Sequence, residues 1–316
     1  MLVGIIRAAL WDLSLPQIVK LLAGVPRILY IAATDGHYGG AMAVGDGIDG
    51  VGAKQLHLDI KTPLAEWIAK VKEFKPDIVI GYPSAIKILG ELIETGEVQT
   101  NISRIISCGE PLGAHMRQYF EKIFAGAKIL NFYGASESLA LGVEENGESG
   151  MVLFDDMNII EVQDGQMYLT SLYNFAQPLI RYRLTDDITL QRAEGLTKAT
   201  GLIGRNADVL WFKHLDGKRD FLHPLAVEGI CVEGLRDYQF CKTGDASFEI
   251  IAEFSEQTDI AKAKLQIQKQ LNAVLAEKQL GYVTYEIIQT EQIAPDPITG
   301  KKRLILIESE EERGSA

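Results

Sequence analysis

The chain has 316 residues, of which 47% are hydrophobic and 23% are charged. This composition is ordinary for a globular protein, and the length exceeds the roughly 100 to 200 residues of one domain, so we expect two domains. The 31 basic and 43 acidic residues give a net charge of −12. An acidic chain without a basic cluster repels phosphate backbones and anionic lipid surfaces, so neither nucleic acid nor a membrane is an expected partner.

Cysteine spacing and the N-terminal stretch bear on the cellular compartment. Cys108, Cys231 and Cys241 are far apart, and none forms the close Cys/His pairs of a zinc site, which predicts reduced thiols in a cytoplasmic protein. Charged residues such as Arg7 and Asp12 interrupt the apolar N-terminus before about 18 apolar residues accumulate. We therefore predict no membrane span, and the compact pattern of a signal peptide is absent.

Up to about residue 130, strand-like and helical segments alternate. Three short apolar segments predict buried strands: PRILYIAA, PDIVIGY and ISRIISCGE. Three longer segments have the apolar spacing, early proline or final glycine of helices: TPLAEWIAKVKEF, PSAIKILGELIETG and LGAHMRQYFEKIFAG. This alternation predicts a largely parallel sheet.

The pattern changes in the second half. The segment MVLFDDMNIIEVQDGQMYLTSLYN alternates around an Asp-Gly turn, which is typical of antiparallel hairpin strands, and RYRLTDDITL continues them. The last hundred or so residues include the polar helix DIAKAKLQIQKQLNAVLAEKQLG and predict a small α+β unit. The predicted class is α/β: a mostly parallel sheet subdomain with an antiparallel β segment, followed by a small, mobile α+β domain. The boundary is placed near Gly204–Asp208.

Two motifs follow predicted parallel strands, where ligands bind at the carboxyl edge of open α/β sheets. They are GYPSAIKIL and SCGEPLG. In the second motif the candidate residues are Gly109, Glu110 and Pro111, although on its own the motif is better explained by a tight turn at the glycine and the proline.

A third motif, NFYGASESLALG, follows the short apolar segment AKIL. Gly134 permits close backbone approach to a ligand, and Tyr133 can stack on a flat ring. Ser136 can donate to an oxyanion, and Glu137 can hold a divalent cation beside phosphate oxygens. The alternative is an ordinary turn with an exposed glutamate.

Three later motifs have similar double interpretations. In RYRLTDD, Arg181 and Arg183 are expected on the same side of one strand, two residues apart. Asp186 can accept hydrogen bonds from a ribose diol, or the charges can form surface ion pairs across a hairpin. Gly204 in TGLIGRNADVL suits a hinge or a plain linker. In PDPITGKKRLIL, Lys301 or Lys302 can neutralise charge on a phosphate, or the pair can be merely solvated.

In this order and spacing, five of the motifs resemble those of the adenylate-forming superfamily of acyl-CoA synthetases. Within it they are similar to the branch of phenylacetate–CoA ligases and of ligases that adenylate a deazaflavin cofactor. The resemblance covers almost the whole chain. NFYGASESLALG resembles the family's YGxTE signature, with Ser136 in the threonine position. CGEP is similar to the adenine-contacting loop, and YRLTD to the ribose-binding YRTxD. GRNAD resembles the hinge GRxxD, and TGKKR the C-terminal segment that carries the catalytic lysine.

The resemblance implies an enzyme that uses ATP and Mg²⁺ to convert a carboxylate into an acyl adenylate and pyrophosphate, and then transfers the acyl group to CoA. A small-molecule carboxylate and an adenine nucleotide are the implied partners, with a homodimer as a candidate assembly. Residues 1–203 would form a truncated N-terminal core with the acyl and AMP site, and residues 204–316 a C-terminal lid. Lys301 would be the catalytic lysine, with Lys302 as the alternative.

The resemblance also implies individual nucleotide contacts. Glu137 would hold Mg²⁺ and Ser136 would contact the α-phosphate. Tyr133 and Gly134 would lie beside the adenine, together with the loop Gly109–Pro111.

The remaining implied contacts come from the second half of the chain. Asp186 would bind the ribose hydroxyls, with Asp187 as the alternative, and Arg205 would support the same region. Asp208 would be the pivot on which the small domain rotates between the two half-reactions.

One part of the family pattern has no match in this sequence. Members carry an upstream Ser/Thr/Gly-rich loop, of the form SSGTTG, around the β- and γ-phosphates of ATP. The glycine-rich TDGHYGGAMAVGDG lacks the Ser/Thr cluster and the lysine for that role, so we assign it to a structural or substrate-side loop. His37 and Tyr38 in it are candidates for an acyl pocket. We expect either a fragment of a ligase or a shortened homologue.

Two other functions are alternatives. A degenerate homologue that binds AMP or an acyl adenylate without turnover would explain the missing loop, but it need not keep Glu137, Asp186 and Lys301. A dinucleotide oxidoreductase is disfavoured, because no GxGxxG follows the first strand with an acidic residue about 20 positions later.

Overall fold

The computed structural model describes residues 7, 10–33, 52–145, 150–184, 186, 188–193, 195–200, 209–214, 216–294 and 304–306. The chain divides into two compact units: Met1–Asp59 with Ile68–Asn206, and Ile60–Trp67 with Ala207–Ala316. Within the described ranges, no helix is long and apolar enough to cross a bilayer.

The elements up to residue 200 alternate at first and then become all β. The helices are α1 (Leu15–Ala23), α2 (Leu64–Phe74), α3 (Pro83–Glu94) and α4 (Ala114–Ile123). The strands are β1 (Arg27–Ala32), β2 (Lys54–Asp59), β3 (Ile78–Gly81), β4 (Arg104–Cys108), β5 (Lys128–Ala135), β6 (Ser138–Glu145), β7 (Met151–Leu153), β8 (Asn158–Gln163), β9 (Gln166–Ser171), β10 (Tyr182–Leu184), β11 (Thr189–Ala193) and β12 (Leu196–Thr200).

A nine-stranded sheet forms the centre of the first unit, in the order β11-β12-β7-β6-β5-β4-β3-β1-β2. Strands β2, β1, β3, β4 and β5 are parallel to one another, and the other four continue the sheet antiparallel. The strands β1, β3 and β4 are almost wholly buried, as their β-branched residues predicted. Helix α3 packs on all three of them and on α4. This arrangement confirms the predicted α/β class.

A separate three-stranded antiparallel sheet has the order β10-β9-β8. The Asp164–Gly165 turn joins β8 to β9, as the sequence predicted. One expectation for this sheet is wrong. Arg181 does not share a strand with Arg183, because β10 begins one residue later and Arg181 has a φ of +49°.

The antiparallel strands enclose a hydrophobic core of their own. It is formed by Tyr133, Leu141, Met151, Leu153, Met167, Leu169, Leu184, Ile188 and Ala199. These residues come from both sheets, so the nine-stranded sheet and the three-stranded sheet are held together by side-chain packing. The third motif of the sequence therefore contributes an aromatic ring to the core.

The second unit is the predicted α+β arrangement. Its later elements are β13 (Leu210–Lys213), β14 (Arg219–Leu222), α5 (Pro224–Val227), β15 (Leu235–Gly244), β16 (Ser247–Phe254), α6 (Ile260–Glu277), β17 (Thr284–Thr290) and β18 (Ile305–Leu306). Strands β13 and β14 form a hairpin, and a four-stranded sheet has the order β17-β16-β15-β18. Helix α6 begins where the Asp259 side chain accepts a hydrogen bond from the Lys262 backbone N–H.

The second unit contains a buried cation. The Lys278 side chain is fully buried, and its Nζ lies 2.9 Å from Asp220 Oδ1 and 2.7 Å from the Thr62 carbonyl oxygen. The same nitrogen is 3.7 Å from the centre of the Phe221 ring. These contacts compensate for removing the ammonium group from water.

Candidate functional site

The motif NFYGASESLALG forms an antiparallel hairpin. Strand β5 continues to Ala135, which pairs with Ser138 at the start of β6. Ser136 and Glu137 form the turn between them, with Ser136 exposed and Glu137 partly buried. The sequence suggested a shorter strand, AKIL, followed by a loop. The strand is longer because β6 supplies backbone hydrogen-bond partners up to the turn.

Gly134 is required by the packing of this hairpin. A Cβ atom at this position would lie 2.5 Å from the Leu139 carbonyl oxygen. The strand register also shifts between Tyr133 and Ala135, and such irregularities change the direction of neighbouring side chains. Gly134 therefore shapes the hairpin, while its approach to a nucleotide stays a prediction.

Tyr133 links the hairpin to a second predicted motif. Its ring is buried in the core, and its hydroxyl lies 3.6 Å from Met167 Sδ. The hydroxyl is also hydrogen-bonded to the Asp186 carboxylate, and Glu137 is close enough to act on it electrostatically. Burial, followed by the charge of Asp186, raises the pKa of Tyr133, so the hydroxyl remains a donor.

Two carboxylates from separate motifs, Glu137 and Asp186, thus lie near one tyrosine hydroxyl. Among the described residues there is no group of three or more His, Cys, Asp or Glu that could hold a metal by itself. Mg²⁺ needs fewer protein ligands than such a group provides, because it is usually held by one or two carboxylates together with substrate phosphates and water. The donor set present here fits that mode of binding.

The CGEP motif leaves β4 next to this hairpin. Cys108 pairs with Phe132 of β5, so both motifs extend from neighbouring strands at the same edge of the sheet. Gly109 has a φ of +78°, and a Cβ atom there would lie 2.5 Å from Tyr82 Cε1. Both observations explain why a glycine occupies this position.

Glu110 is fixed by a serine that the sequence analysis did not select. The Ser84 backbone N–H and hydroxyl donate to its two carboxylate oxygens at 3.1 Å and 2.8 Å. Burial raises the pKa of Glu110 to about 7, against the opposing effect of the Ser84 hydrogen bonds. The available signal was the motif GYPSAIKIL, because its serine follows a parallel strand at the ligand-binding edge.

Cys108 does not have the character of a nucleophile. Burial, followed by the charge of Glu110, raises the pKa of its thiol to about 12. Since the thiolate is the reactive form, the side chain stays protonated near neutral pH. The chemistry at this edge therefore comes from oxygen groups.

No protein-family model and no curated protein sequence matches the chain. Solved structures do match it. An open conformation of 2-hydroxyisobutyryl-CoA ligase, in complex with 2-HIB-AMP and CoA, matches with a TM-score of 0.50 and 18% identity over 97% of this chain and 71% of that chain. The chain has an adenylate-forming ligase fold.

Further structures with this ligase fold also match. The same ligase in the postadenylation state, in complex with R3-HIB-AMP, has a TM-score of 0.50 and 20% identity over 99% of this chain and 70% of that chain. The amide bond synthetase McbA from Marinactinospora thermotolerans matches with a TM-score of 0.48 and 14% identity, over 95% of this chain and 63% of the McbA chain. The fold that the motifs predicted is confirmed by the two structures of 2-hydroxyisobutyryl-CoA ligase.

Several predicted residues lie outside the described part of the ligase fold, and their roles stay predictions. They are His37, Tyr38, Asp187, Arg205, Asp208, Lys301 and Lys302. Of the predicted site, the structure therefore brings together Tyr133, Glu137 and Asp186, with Gly109–Pro111 directly after the neighbouring strand β4.

The second unit of the ligase fold contains a cavity that the sequence analysis did not anticipate. Its volume is about 260 Å³, and it is lined by Trp211, Phe212, Lys213, Gly217, Arg219, Lys242 and Asp245. The Arg219 guanidinium lies 5.1 Å from the centre of the Trp211 ring. Three basic side chains and one acidic side chain give this cavity a positive balance, although the whole chain is acidic.

Proposed function

We propose that the protein is an AMP-forming carboxylate ligase that activates an aryl or acyl acid and transfers the acyl group to CoA. The observation that carries the proposal is that the Tyr133 hydroxyl interacts with Asp186 and lies close enough to Glu137 for the two to act on each other electrostatically. Both carboxylates come from motifs of nucleotide-binding type, and the fold is shared with a ligase solved with 2-HIB-AMP and CoA. A phenylacetate–CoA ligase-like substrate and a cytoplasmic location are part of the proposal.

The residues have distinct roles in this proposal. Asp186 accepts hydrogen bonds from the ribose hydroxyls, and the Tyr133 hydroxyl holds its carboxylate in place. Ser136, in the turn, donates to the α-phosphate. Glu137 would hold Mg²⁺, which neutralises phosphate charge when bound. The adenine lies along the backbone of Gly109–Pro111.

The reaction then consists of two displacements. A carboxylate oxygen of the substrate attacks the α-phosphorus of ATP, and pyrophosphate leaves. The thiol sulfur of CoA next attacks the acyl carbon, gives up its proton, and AMP leaves. The protein positions the reactants and stabilises the charge that develops on them. In the first displacement, Lys301 supplies this charge stabilisation.

The cavity of the second unit supports CoA as the acceptor. CoA carries phosphate groups and an adenine ring, and the cavity offers Lys213, Arg219 and Lys242 beside Trp211. Basic side chains form charge-assisted hydrogen bonds with phosphate, and an indole ring can stack on adenine. The match between the groups of CoA and the side chains that line the cavity is the second observation that supports the proposed reaction.

Two assays test the proposal on the wild-type chain. ATP–pyrophosphate exchange with a panel of aromatic and aliphatic acids reports the first half-reaction. Release of AMP from phenylacetyl-AMP in the presence of CoA reports the second. We expect acid-dependent exchange and CoA-dependent release. Retained AMP binding without either reaction would support the degenerate, non-catalytic homologue in its place.

The lysine assignment has its own test. We expect Lys301→Ala to abolish exchange while leaving the far-UV circular dichroism and the melting temperature unchanged, because a charge at the reacting phosphate acts only on the transition state. Lys302→Ala is the matched control and should exchange normally. Wild-type exchange in both single variants would remove a lysine of this segment from the mechanism.

A further inference from the structure

The three basic residues that line the cavity of the second unit come from three different strands. Lys213 ends β13, Arg219 begins β14, and Lys242 lies in β15. Lys213 and Arg219 are directly opposite each other in the β13–β14 hairpin, so their side chains leave the same face of it. Like charges in directly opposite positions destabilise a strand pair. An anion bound between them would offset this repulsion, which indicates a site for an anionic ligand.

The backbone that carries these cations is fixed by contacts within the second unit. The Lys213 N–H donates to the Asp245 carbonyl oxygen at 2.8 Å, which joins the hairpin to the turn between β15 and β16. Phe212, a buried residue of the cavity lining, has its ring centre 5.7 Å from that of Phe248 in β16. The strands are therefore in position before a ligand binds, which lowers the entropy that binding costs.

An aromatic side chain adjoins the cations. Trp211 precedes Lys213 by two residues on β13, so both side chains lie on the same face of the strand. The Arg219 guanidinium lies 5.1 Å from the centre of the Trp211 ring. Nucleotide bases stack on aromatic side chains, and a carboxylate such as that of Asp245 can accept a hydrogen bond from the adenine amino group. The lining therefore fits an adenine ring that has a strongly charged anion next to it.

Only one end of CoA has this composition. Its 3′-phosphate is a monoester, a group with a charge of about −1.5 to −2 at pH 7, and it is attached to the ribose that carries the adenine. Each phosphate of the central bridge has only one ionisable oxygen, and the thiol end has no phosphate. The cavity volume of about 260 Å³ is also below the roughly 300–1,000 Å³ of pockets that enclose a whole small ligand. The cavity thus has room for one end of CoA.

We propose that the cavity binds the 3′-phosphoadenosine end of CoA, and that Lys213 makes the protein select CoA over dephospho-CoA, which lacks the 3′-phosphate. Lys213 and Arg219 donate charge-assisted hydrogen bonds to the phosphate oxygens, and Trp211 stacks on the adenine. A site built to bond a polar group disfavours the analogue without that group. This inference rests on the proposed function, which takes CoA as the acceptor, and it adds which end of CoA the second unit recognises.

Binding of adenosine 3′,5′-bisphosphate tests the cavity without turnover. Saturating AMP is included, so that the proposed AMP site of the first unit is occupied. Calorimetry should show one-to-one binding to wild type and a dissociation constant at least tenfold higher in Lys213→Ala. Lys213 is exposed, so the melting temperature of this variant should stay within about 2 °C of wild type. Lys269→Ala removes the same charge from an exposed position of α6, and this matched control should bind within twofold of wild type.

Selection between two acceptors is the second measurement. In thioester formation by wild type, kcat/KM for CoA should exceed that for dephospho-CoA at least tenfold, and in Lys213→Ala the ratio should fall below threefold. Equal kcat/KM values for the two acceptors in wild type would overturn the proposal. So would no binding of the bisphosphate to wild type, or equal binding by wild type and Lys213→Ala.

The binding data separate this proposal from the proposed reaction. If the wild-type chain shows no acid-dependent exchange, the proposed function fails, and calorimetry with CoA and dephospho-CoA replaces the kinetic comparison. A tenfold preference for CoA that is lost in Lys213→Ala would then still support the 3′-phosphoadenosine site, whereas equal affinities would overturn it.

Discussion

At the scale of single residues, Tyr133 has two tasks. Its ring fills part of the hydrophobic core, and its hydroxyl contacts Asp186. A phenylalanine would perform only the first task, because it has the same ring without the donor. The two tasks can therefore be separated by removing one oxygen atom.

We expect Tyr133→Phe to weaken AMP binding about tenfold and to leave the melting temperature almost unchanged. A hydrogen bond to a charged group contributes about 1.5–3 kcal/mol, which corresponds to a tenfold change or more. Calorimetric titration with AMP measures the effect. Tyr168→Phe, on the other face of β9, is the control and should bind as wild type does. An unchanged affinity in Tyr133→Phe would show that the hydroxyl does not position Asp186.

Glu110 predicts a dependence of stability on pH. Its pKa is about 7 in the folded protein, raised by burial from an ordinary value of 4.5. The folded state thus binds the proton more tightly than the unfolded state, so this group's contribution to stability is greatest below pH 4.5 and is lost as pH rises through 7.

We expect the free energy of unfolding of Glu110→Gln to fall less than that of wild type between pH 5 and pH 8. Urea denaturation at a series of pH values measures the difference. Glu121→Gln, at an exposed position of α4, should retain the wild-type profile. Parallel profiles for Glu110→Gln and wild type would contradict the assigned titration.

At the scale of secondary-structure elements, the β5–β6 hairpin depends on one close backbone contact. We expect Gly134→Ala to lower the free energy of unfolding by about 1–3 kcal/mol, since the new methyl group would be forced against the Leu139 carbonyl. Thermal or urea denaturation measures the loss. Gly229→Ala is the control, because a Cβ atom there meets nothing within 4 Å. Equal effects at the two positions would argue against the contact.

Most of the helices and strands could be predicted from the sequence. The buried strands, the helices between them and the Asp-Gly hairpin follow from local signals such as β-branched runs, proline, glycine and alternation. The length of β5 could not be predicted, because it depends on pairing with β6. The Ser84–Glu110 contact joins residues 26 positions apart, and no local pattern encodes which serine will meet which carboxylate.

At the scale of the whole molecule, the proposed chemistry is divided between two units. The carboxylates that we propose to bind the nucleotide and Mg²⁺ belong to the first unit, and the basic cavity belongs to the second. Variants in the cavity should therefore affect the acceptor step and spare activation of the acid.

We expect Lys242→Ala to raise the KM for CoA about tenfold, as expected for the loss of a charge-assisted contact of about 1.5 kcal/mol, and to leave pyrophosphate exchange unchanged. Steady-state kinetics with varied CoA, alongside the exchange assay, measure both effects. Lys269→Ala, exposed on α6, is the matched control. A wild-type KM for CoA in Lys242→Ala would place the phosphate contacts elsewhere.

The ring of Tyr133 has one more consequence, which concerns cooperativity. Because the same side chain belongs to the antiparallel core and to the carboxylate site, the site cannot lose its geometry without loosening residues such as Met167 and Leu184. A ligand that binds the folded form and not the opened form raises the free energy of opening, by about 2.7 kcal/mol when its concentration is a hundred times Kd. Amide hydrogens of β5 and β9 should therefore exchange with solvent about a hundredfold more slowly once AMP occupies the site.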